Sequence, residues 1–295
     1  MQTRAFKQVD VFTATPYLGN PVAVVLDGSG LSEDAMQGFA RWTNLSETTF
    51  VLPPTEAGKK GGADYRLRIF TPGGELPFAG HPTLGTSHAW LEHSGSAKTR
   101  IVQECGVGLI QIERSQEGGA QRLAFAAPPC KRSNPSPTVL AQVAAALGLK
   151  PKQVLAAQLL DNGPVWLGVQ VDSAQAVLAL APDHAQIKAL GQKVGVVHVD
   201  ASSDAIKSGA NSLYPTVTVR GFAAPIGINE DPVTGSLNAS LAQWLIADGL
   251  APESYVAAQG EAMGRAGRVH VRRAADGQVW VGGESVTCIQ GQVSL

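Results

Sequence analysis

The sequence predicts an α+β protein built from two versions of one unit. Three observations carry this. Short alternating runs bounded by Gly and Pro dominate, and they do not alternate regularly with helices, which disfavours a doubly wound parallel fold. Two helical windows without a charged outer face open at His81-Pro82-Thr83-Leu84-Gly85-Thr86 and Asp231-Pro232-Val233-Thr234-Gly235-Ser236, 150 residues apart in a chain of 295. The segments before each window match in order, the mark of an internal duplication.

The elements follow the chain in that order. Phe6 to Val11 reads as a strand, and Gly19-Asn20-Pro21-Val22 opens a second that runs to Leu26. Glu33 to Trp42 reads as a helix capped by Ser32, with Met36, Phe39 and Ala40 on one face. Thr48 to Leu52 and the alternating Tyr65-Arg66-Leu67-Arg68-Ile69 are strands, followed by a Gly/Pro loop and the first buried helix through Leu91. Leu109 to Ile112 is a further strand. In the second half, Thr138 to Leu147 is helical up to Gly148, and Asn162-Gly163-Pro164-Val165 opens a strand to Val171. His184 to Leu190 is helical up to Gly191, and Val196 to Val199 and Thr216 to Val219 are strands. The second buried helix then runs through Leu245, and Arg268 to Val271 alternates. In both windows Pro takes the second position, where its fixed φ suits a first helical turn. A helix that is apolar or small all round is a buried one.

Composition narrows the function classes. Hydrophobic residues make up 44% and charged ones 16%, enough apolar material to exclude disorder. The balance of 23 Lys+Arg against 24 Asp+Glu, without a basic run, argues against nucleic acid as a partner. No window approaches the apolar length of a membrane span or a signal peptide, so a soluble cytoplasmic protein is expected. Cys105, Cys130 and Cys288 are scattered and form neither a disulfide framework nor a zinc signature. The six histidines show no metal-ligand spacing, and GxGxxG, GxxxxGK[ST], HExxH and GxSxG are absent. No metal and no cofactor is implied.

Two copies of a sheet-plus-helix unit would leave a cleft, and the unpaired N–H groups of two helix starts would suit a carboxylate. Asp231 before Pro232 reads either as a helix cap or as a site residue, and the residues alone favour the cap. His81, between Gly80 and Pro82, reads as a hydrogen-bonding or proton-shuttling group, or equally as a satisfied surface histidine. Ser236, which the duplication pairs with Thr86, is an ordinary first-turn hydroxyl or a ligand contact. Glu47 in Asn44-Leu45-Ser46-Glu47-Thr48-Thr49-Phe50-Val51 reads as a desolvated general base or as a solvated strand-start carboxylate; the residues alone favour the second. Tyr17, Trp42 and Tyr214 read as loop residues that shape the pocket or, more often for such residues, as packing aromatics.

At these residues the chain resembles the PhzF-like family of phenazine-biosynthesis isomerases and epimerases. The resemblance lies in Val9-Asp10-Val11-Phe12, Gly19-Asn20-Pro21-Val22-Ala23-Val24, Asn44 to Phe50, Arg68-Ile69-Phe70-Thr71-Pro72, Glu75 to Gly85 and Glu230 to Ser236. Each piece is short, but together they span nearly the whole chain in the family's order. The resemblance implies a diaminopimelate-epimerase-like fold of two pseudo-symmetric lobes, each a curved, mostly antiparallel sheet around a central helix. It implies lobes at residues 1–125 and 126–285, with 286–295 returning to the first. It implies Glu47 as catalytic acid/base, a role that reverses the residue-level preference, with His81 and Asp231 as catalytic polar partners. Asn20, Ser46, Gly80, Gly235 and Ser236 would hold the substrate. The activity implied is cofactor-independent isomerisation of a small carboxylated metabolite by a homodimer. The alternatives are amino- or hydroxy-acid epimerisation on the same fold, and a non-catalytic binding or regulatory protein. The thiol pair of the better-known epimerases has no counterpart here, because no cysteine sits at either helix start.

Overall fold

Each strand pairing in the first half of the chain has a counterpart in the second. The computed structural model describes residues 1–117, 119–200 and 215–295, so Tyr214 lies outside the described residues. The chain divides into two compact units, Met1–Ala126 with Gly282–Leu295, and Ala127–Val281.

In the first unit, β1 (Thr3–Val11) pairs antiparallel with β2 (Asn20–Val25) on one side and with the final strand (Ser285–Ser294) on the other. The chain then crosses through α1 (Glu33–Thr43) to β3 (Thr48–Leu52), which lies parallel to β2 with Ala23 opposite Thr48. After the short α2 (Glu56–Lys60), β4 (Tyr65–Thr71) pairs antiparallel with β3 and turns back as the short β5 (Gly74–Leu76). A second crossover, α3 (Gly80–Ser94), leads to β6 (Arg100–Cys105), parallel to β4 with Tyr65 opposite Gln103. Two antiparallel strands, β7 (Gly108–Glu117) and β8 (Ala120–Ala126), complete the sheet.

The second unit repeats the plan. Its β9 (Lys131–Ser133) pairs antiparallel with β10 (Val154–Asp161), after α4 (Pro137–Ala146), and β10 with β11 (Val165–Val171). A crossover through α5 (Ala174–Leu178) and α6 (His184–Ala189) brings β12 (Val194–Val199) parallel to β11. Antiparallel β13 (Val217–Ala223) follows, with β14 (Ile228–Asp231) as its short hairpin partner. The crossover α7 (Gly235–Ala247) then leads to β15 (Ser254–Gln259), parallel to β13, and on to antiparallel β16 (Gly267–Arg273). Strand β17 (Val279–Gly283) follows. The fold is α+β, with mostly antiparallel sheets.

The two central helices are buried for the reason the sequence gives. From Gly80 to Leu91, α3 carries no Asp, Glu, Lys or Arg, and Leu84 and Leu91 are buried. Each such leucine contributes about 1.5–3 kcal/mol through burial. Close approach to the sheet is arranged differently in the two units. In the first, a Cβ on Gly85 of the helix would meet Val22 Cγ1 at 2.4 Å. In the second the glycine lies on the sheet, where a Cβ on Gly195 would meet Leu237 Cδ1 of the helix at 2.2 Å. The other sheet faces bury separate cores: Met36 and Ala40 of α1 pack with Val25, Phe50 and Phe70, and Val143, Val177 and Ile187 pack with Leu167, Val194 and Phe222.

Two sequence expectations are corrected. Asp231 and Pro232 do not start the second central helix. Asp231 ends β14, opposite Gly221, and the helix begins at Gly235 with Thr234 as its cap residue. A residue before proline is biased to extended backbone, and the β13–β14 hairpin takes up that bias. Helix α3 begins at Gly80, so Pro82 is its third residue. The duplication is therefore five residues out of register at the helix starts: Ser236, not Asp231, is the counterpart of His81. Tyr17 and Trp42 are not packed inside; Trp42 is 81% exposed and stacks on Phe39. No helix among the described residues is long and apolar enough to cross a membrane.

Candidate active site

Glu47 follows the left-handed turn at Asn44 that ends α1, and it directly precedes β3. Its carbonyl accepts from Ala23 N at 3.4 Å, anchoring it at the parallel β2–β3 pair. The side chain is turned inward, and the residue is only 7% exposed. His81 is the second residue of α3 and 3% exposed, so neither surface reading of these two residues holds. Its Nε2 lies 3.3 Å from Glu47 Oε2.

Burial pushes the His81 imidazolium down to about 3, against a smaller upward pull from a hydrogen bond to the main chain of Pro21. The ring is therefore neutral at ordinary pH, and its contact with Glu47 is a close approach of two buried polar groups, not an ion pair. On its other edge Nδ1 lies 3.3 Å from Asn20 Nδ2. Asn20 and Pro21 both belong to the start of β2. Ser46 is half-buried, and no group among the described residues hydrogen-bonds to its enclosed Oγ. No side chain caps α3, and Pro82 has no N–H, which leaves the main-chain N–H groups of Gly80 and His81 for a ligand. Asn20, Ser46, Glu47, Gly80 and His81 thus all lie in the first unit.

Asp231, Gly235 and Ser236 lie in the second unit, inside a buried polar network. Thr234 Oγ1 donates to Asp231 Oδ2 at 2.7 Å. Gln259, 1% exposed on β15, donates to Asp231 O at 3.1 Å and to Thr234 Oγ1 at 2.9 Å. Its Oε1 accepts from Thr234 N at 3.0 Å and from Asn238 Nδ2 at 2.8 Å. Helix α7 also lacks a side-chain cap, leaving the N–H groups of Gly235, Ser236 and Leu237. Trp166 Nε1 donates to Ser236 Oγ at 3.2 Å, so the hydroxyl hydrogen remains available to another acceptor.

Sequence reasoning missed most of this network. Gln259 has a counterpart in Gln103 of β6, whose Nε2 donates to Thr83 Oγ1 at 3.1 Å. Thr83 and Asn238 are each the fourth residue of their central helix. The legible signal was a single amide directly after an apolar pair, Ile101-Val102-Gln103 and Ala257-Ala258-Gln259.

The model of the family described as phenazine biosynthesis-like protein matches residues 9–291. The chain belongs to the PhzF-like family. It is 33% identical to the trans-2,3-dihydro-3-hydroxyanthranilate isomerase of Pseudomonas aeruginosa, over 97% of this chain and 98% of that one. It is 36% identical to antisense-enhancing sequence 1 of Schizosaccharomyces pombe, over 99% of each. Among solved structures, the PhzF-family protein of Bacillus anthracis covers 100% of both chains with a TM-score of 0.83 at 23% identity, a match of fold. This PhzF-like protein is an enzyme of the isomerase class. Its cysteines stand apart from both helix starts, and burial pushes the thiols of Cys105, Cys130 and Cys288 up, away from the reactive thiolate.

Proposed function

We propose that the protein shifts a double bond in a small carboxylated substrate, with Glu47 as the acid–base group and no cofactor in the step. The observation that carries this is the buried contact of Glu47 Oε2 with the neutral imidazole of His81. The carboxylate takes a proton from a carbon next to an unsaturated system, and the C–H electron pair enters that system. The resulting Glu47 acid returns the proton to a different carbon. The double bond has moved, the carboxylate is regenerated, and no electrons are exchanged with any other reagent.

His81 suits both states of Glu47 without becoming charged. When Nδ1 is bare, the Asn20 amide serves it, and Nε2–H faces the ionised carboxylate. When Nδ1 carries the proton, bare Nε2 faces the carboxylic acid; the main chain of Pro21 also accepts from the ring. In each unit the N–H groups at the start of the central helix and a serine hydroxyl, Ser46 in the first and Ser236 in the second, suit a carboxylate and charge as it develops. Asp231 orients polar substituents.

A dihydro-hydroxyanthranilate, the compound in the name of the Pseudomonas aeruginosa relative, is the first substrate to try. The Schizosaccharomyces pombe relative's name points to no small molecule, so a panel of small carboxylic acids belongs in the same screen. Epimerisation is less favoured: it needs a second acid, and the counterpart of His81 is a serine. The homodimer implied by the resemblance is part of this reading; sedimentation as a monomer at micromolar concentration would remove it. Glu47→Gln should lower solvent-deuterium incorporation into substrate by roughly 10²–10⁴-fold with the fold preserved. Full activity in that variant would overturn the scheme.

A further inference from the structure

We infer that Asn162 is a ligand-reading residue, whose side-chain carbonyl accepts a hydrogen bond from an N–H or O–H beside the substrate's carboxylate. This rests on the proposed reading that a small carboxylate is held at the start of α7.

The argument begins with the duplication. Asn20 is the first residue of β2 in the first unit, and Asn162 lies in the turn between β10 and β11 in the second. Each directs its amide nitrogen at the second residue of its central helix. Asn20 Nδ2 meets His81 Nδ1 at 3.3 Å, and Asn162 Nδ2 donates to Ser236 O at 2.9 Å. Asn162 is thus the second unit's version of an asparagine already placed in the site.

The other end of the amide separates Asn162 from a merely structural residue. It is 4% exposed, and among the described residues no donor reaches its enclosed Oδ1. A buried amide oxygen without a donor is a cost to the folded state, and native interiors rarely leave one so. The Nδ2 bond to Ser236 O fixes the amide's orientation, because a flipped amide would set two carbonyl oxygens against each other. The acceptor therefore belongs to the same helix start as the Gly235, Ser236 and Leu237 N–H groups and the Ser236 hydroxyl. Those groups all offer hydrogen to an anion, while Asn162 Oδ1 asks for one. Together they fit a carboxylate whose neighbouring carbon bears an amino or hydroxyl group.

The test is calorimetric binding of 3-hydroxyanthranilate, anthranilate, 3-hydroxybenzoate and benzoate to the full chain and to Asn162→Leu. The wild-type protein should prefer at least one donor-bearing analogue over benzoate by about five- to tenfold, the size of one neutral hydrogen bond. Asn162→Leu should erase that preference, whatever it does to benzoate itself. If Asn162→Leu does not fold, Asn162→Ala provides the same comparison, and absence of any preference in the wild-type protein overturns the inference without a variant. A preference that survives substitution overturns it too, leaving the carboxylate reading intact. Failure of all four acids to bind the wild-type protein overturns that reading, and this inference with it.

Discussion

Thr49 Oγ1 and Thr86 Oγ1 lie 2.9 Å apart, tying the strand that follows Glu47 to the central helix that carries His81. Thr49 also donates to Ala23 O at 3.1 Å, so Thr86 is the donor in the threonine pair. Both side chains are fully buried. Thr49→Val leaves the Thr86 hydroxyl unmatched and should cost about 1–3 kcal/mol, whereas Thr49→Val with Thr86→Val should recover much of that loss. Urea denaturation of the singles and the double measures the coupling. Additive losses would show that the pair does not act as a unit.

His81 gives the stability a direction with pH. Its ordinary value is 6.5, and burial lowers it to about 3 in the folded protein. Between those values the unfolded chain binds more protons than the folded one. This contribution is present above about pH 6.5 and is lost as pH falls toward 3, at up to about 1.4 kcal/mol per pH unit. The unfolding free energy of His81→Gln should therefore fall less steeply than wild type between pH 6.5 and 4. Parallel curves would contradict the buried neutral ring.

Arg220 is the main electrostatic commitment of the second unit. Its guanidinium donates to both oxygens of Glu230 at 2.8 and 2.7 Å, and to Leu180 O at 2.8 Å beyond the end of α5. Both side chains of the pair are largely buried, and Glu230 precedes Asp231 in the short hairpin strand. Arg220→Met strands a buried carboxylate and should cost about 3–5 kcal/mol. Thermal unfolding reads this directly, and a loss under 1 kcal/mol would refute it.

Gln259 is a positioning residue on this account, since it touches Asp231 and Thr234 but no reacting atom. Gln259→Leu leaves Thr234 N–H and the Asn238 amide without their acceptor, at about 1–3 kcal/mol for each. It should also raise KM more than it lowers kcat, and Gln259→Glu, which keeps the acceptor, should restore part of the binding. Unchanged KM in the leucine variant would limit Gln259 to a structural role.

How much was legible depended on how local the cause was. Helix α1 could be read whole, because its Ser32 cap, acidic first turn and apolar stripe all lie within the helix and its cap. Both central helices could be recognised by the missing outer face. The start of α7 was misread because Asp231-Pro232 looks like a cap followed by a first turn. The pairing of Asp231 with Gly221 that overrides this is tertiary. Strands of three or four residues, such as β5, β9 and β14, are too short for a period to show. In the site, the residues alone left His81 open and favoured a solvated Glu47, and only the family resemblance reversed this; their burial and 3.3 Å separation depend on where β3 and α3 meet. Asn162 and Gln259 were hidden in plain polar chemistry: only the sheet shows what each amide faces.

The five-residue register change between the two helix starts has an evolutionary consequence. After duplication, one copy placed an imidazole at the helix's second residue and the other placed a hydroxyl. If the proposed roles hold, the copies do not share a task and need not drift together. Substitutions at Asn162 or Ser236 would then retune which molecule is accepted while Glu47 and His81 stay untouched. A lineage can thus change its diet without relearning its chemistry.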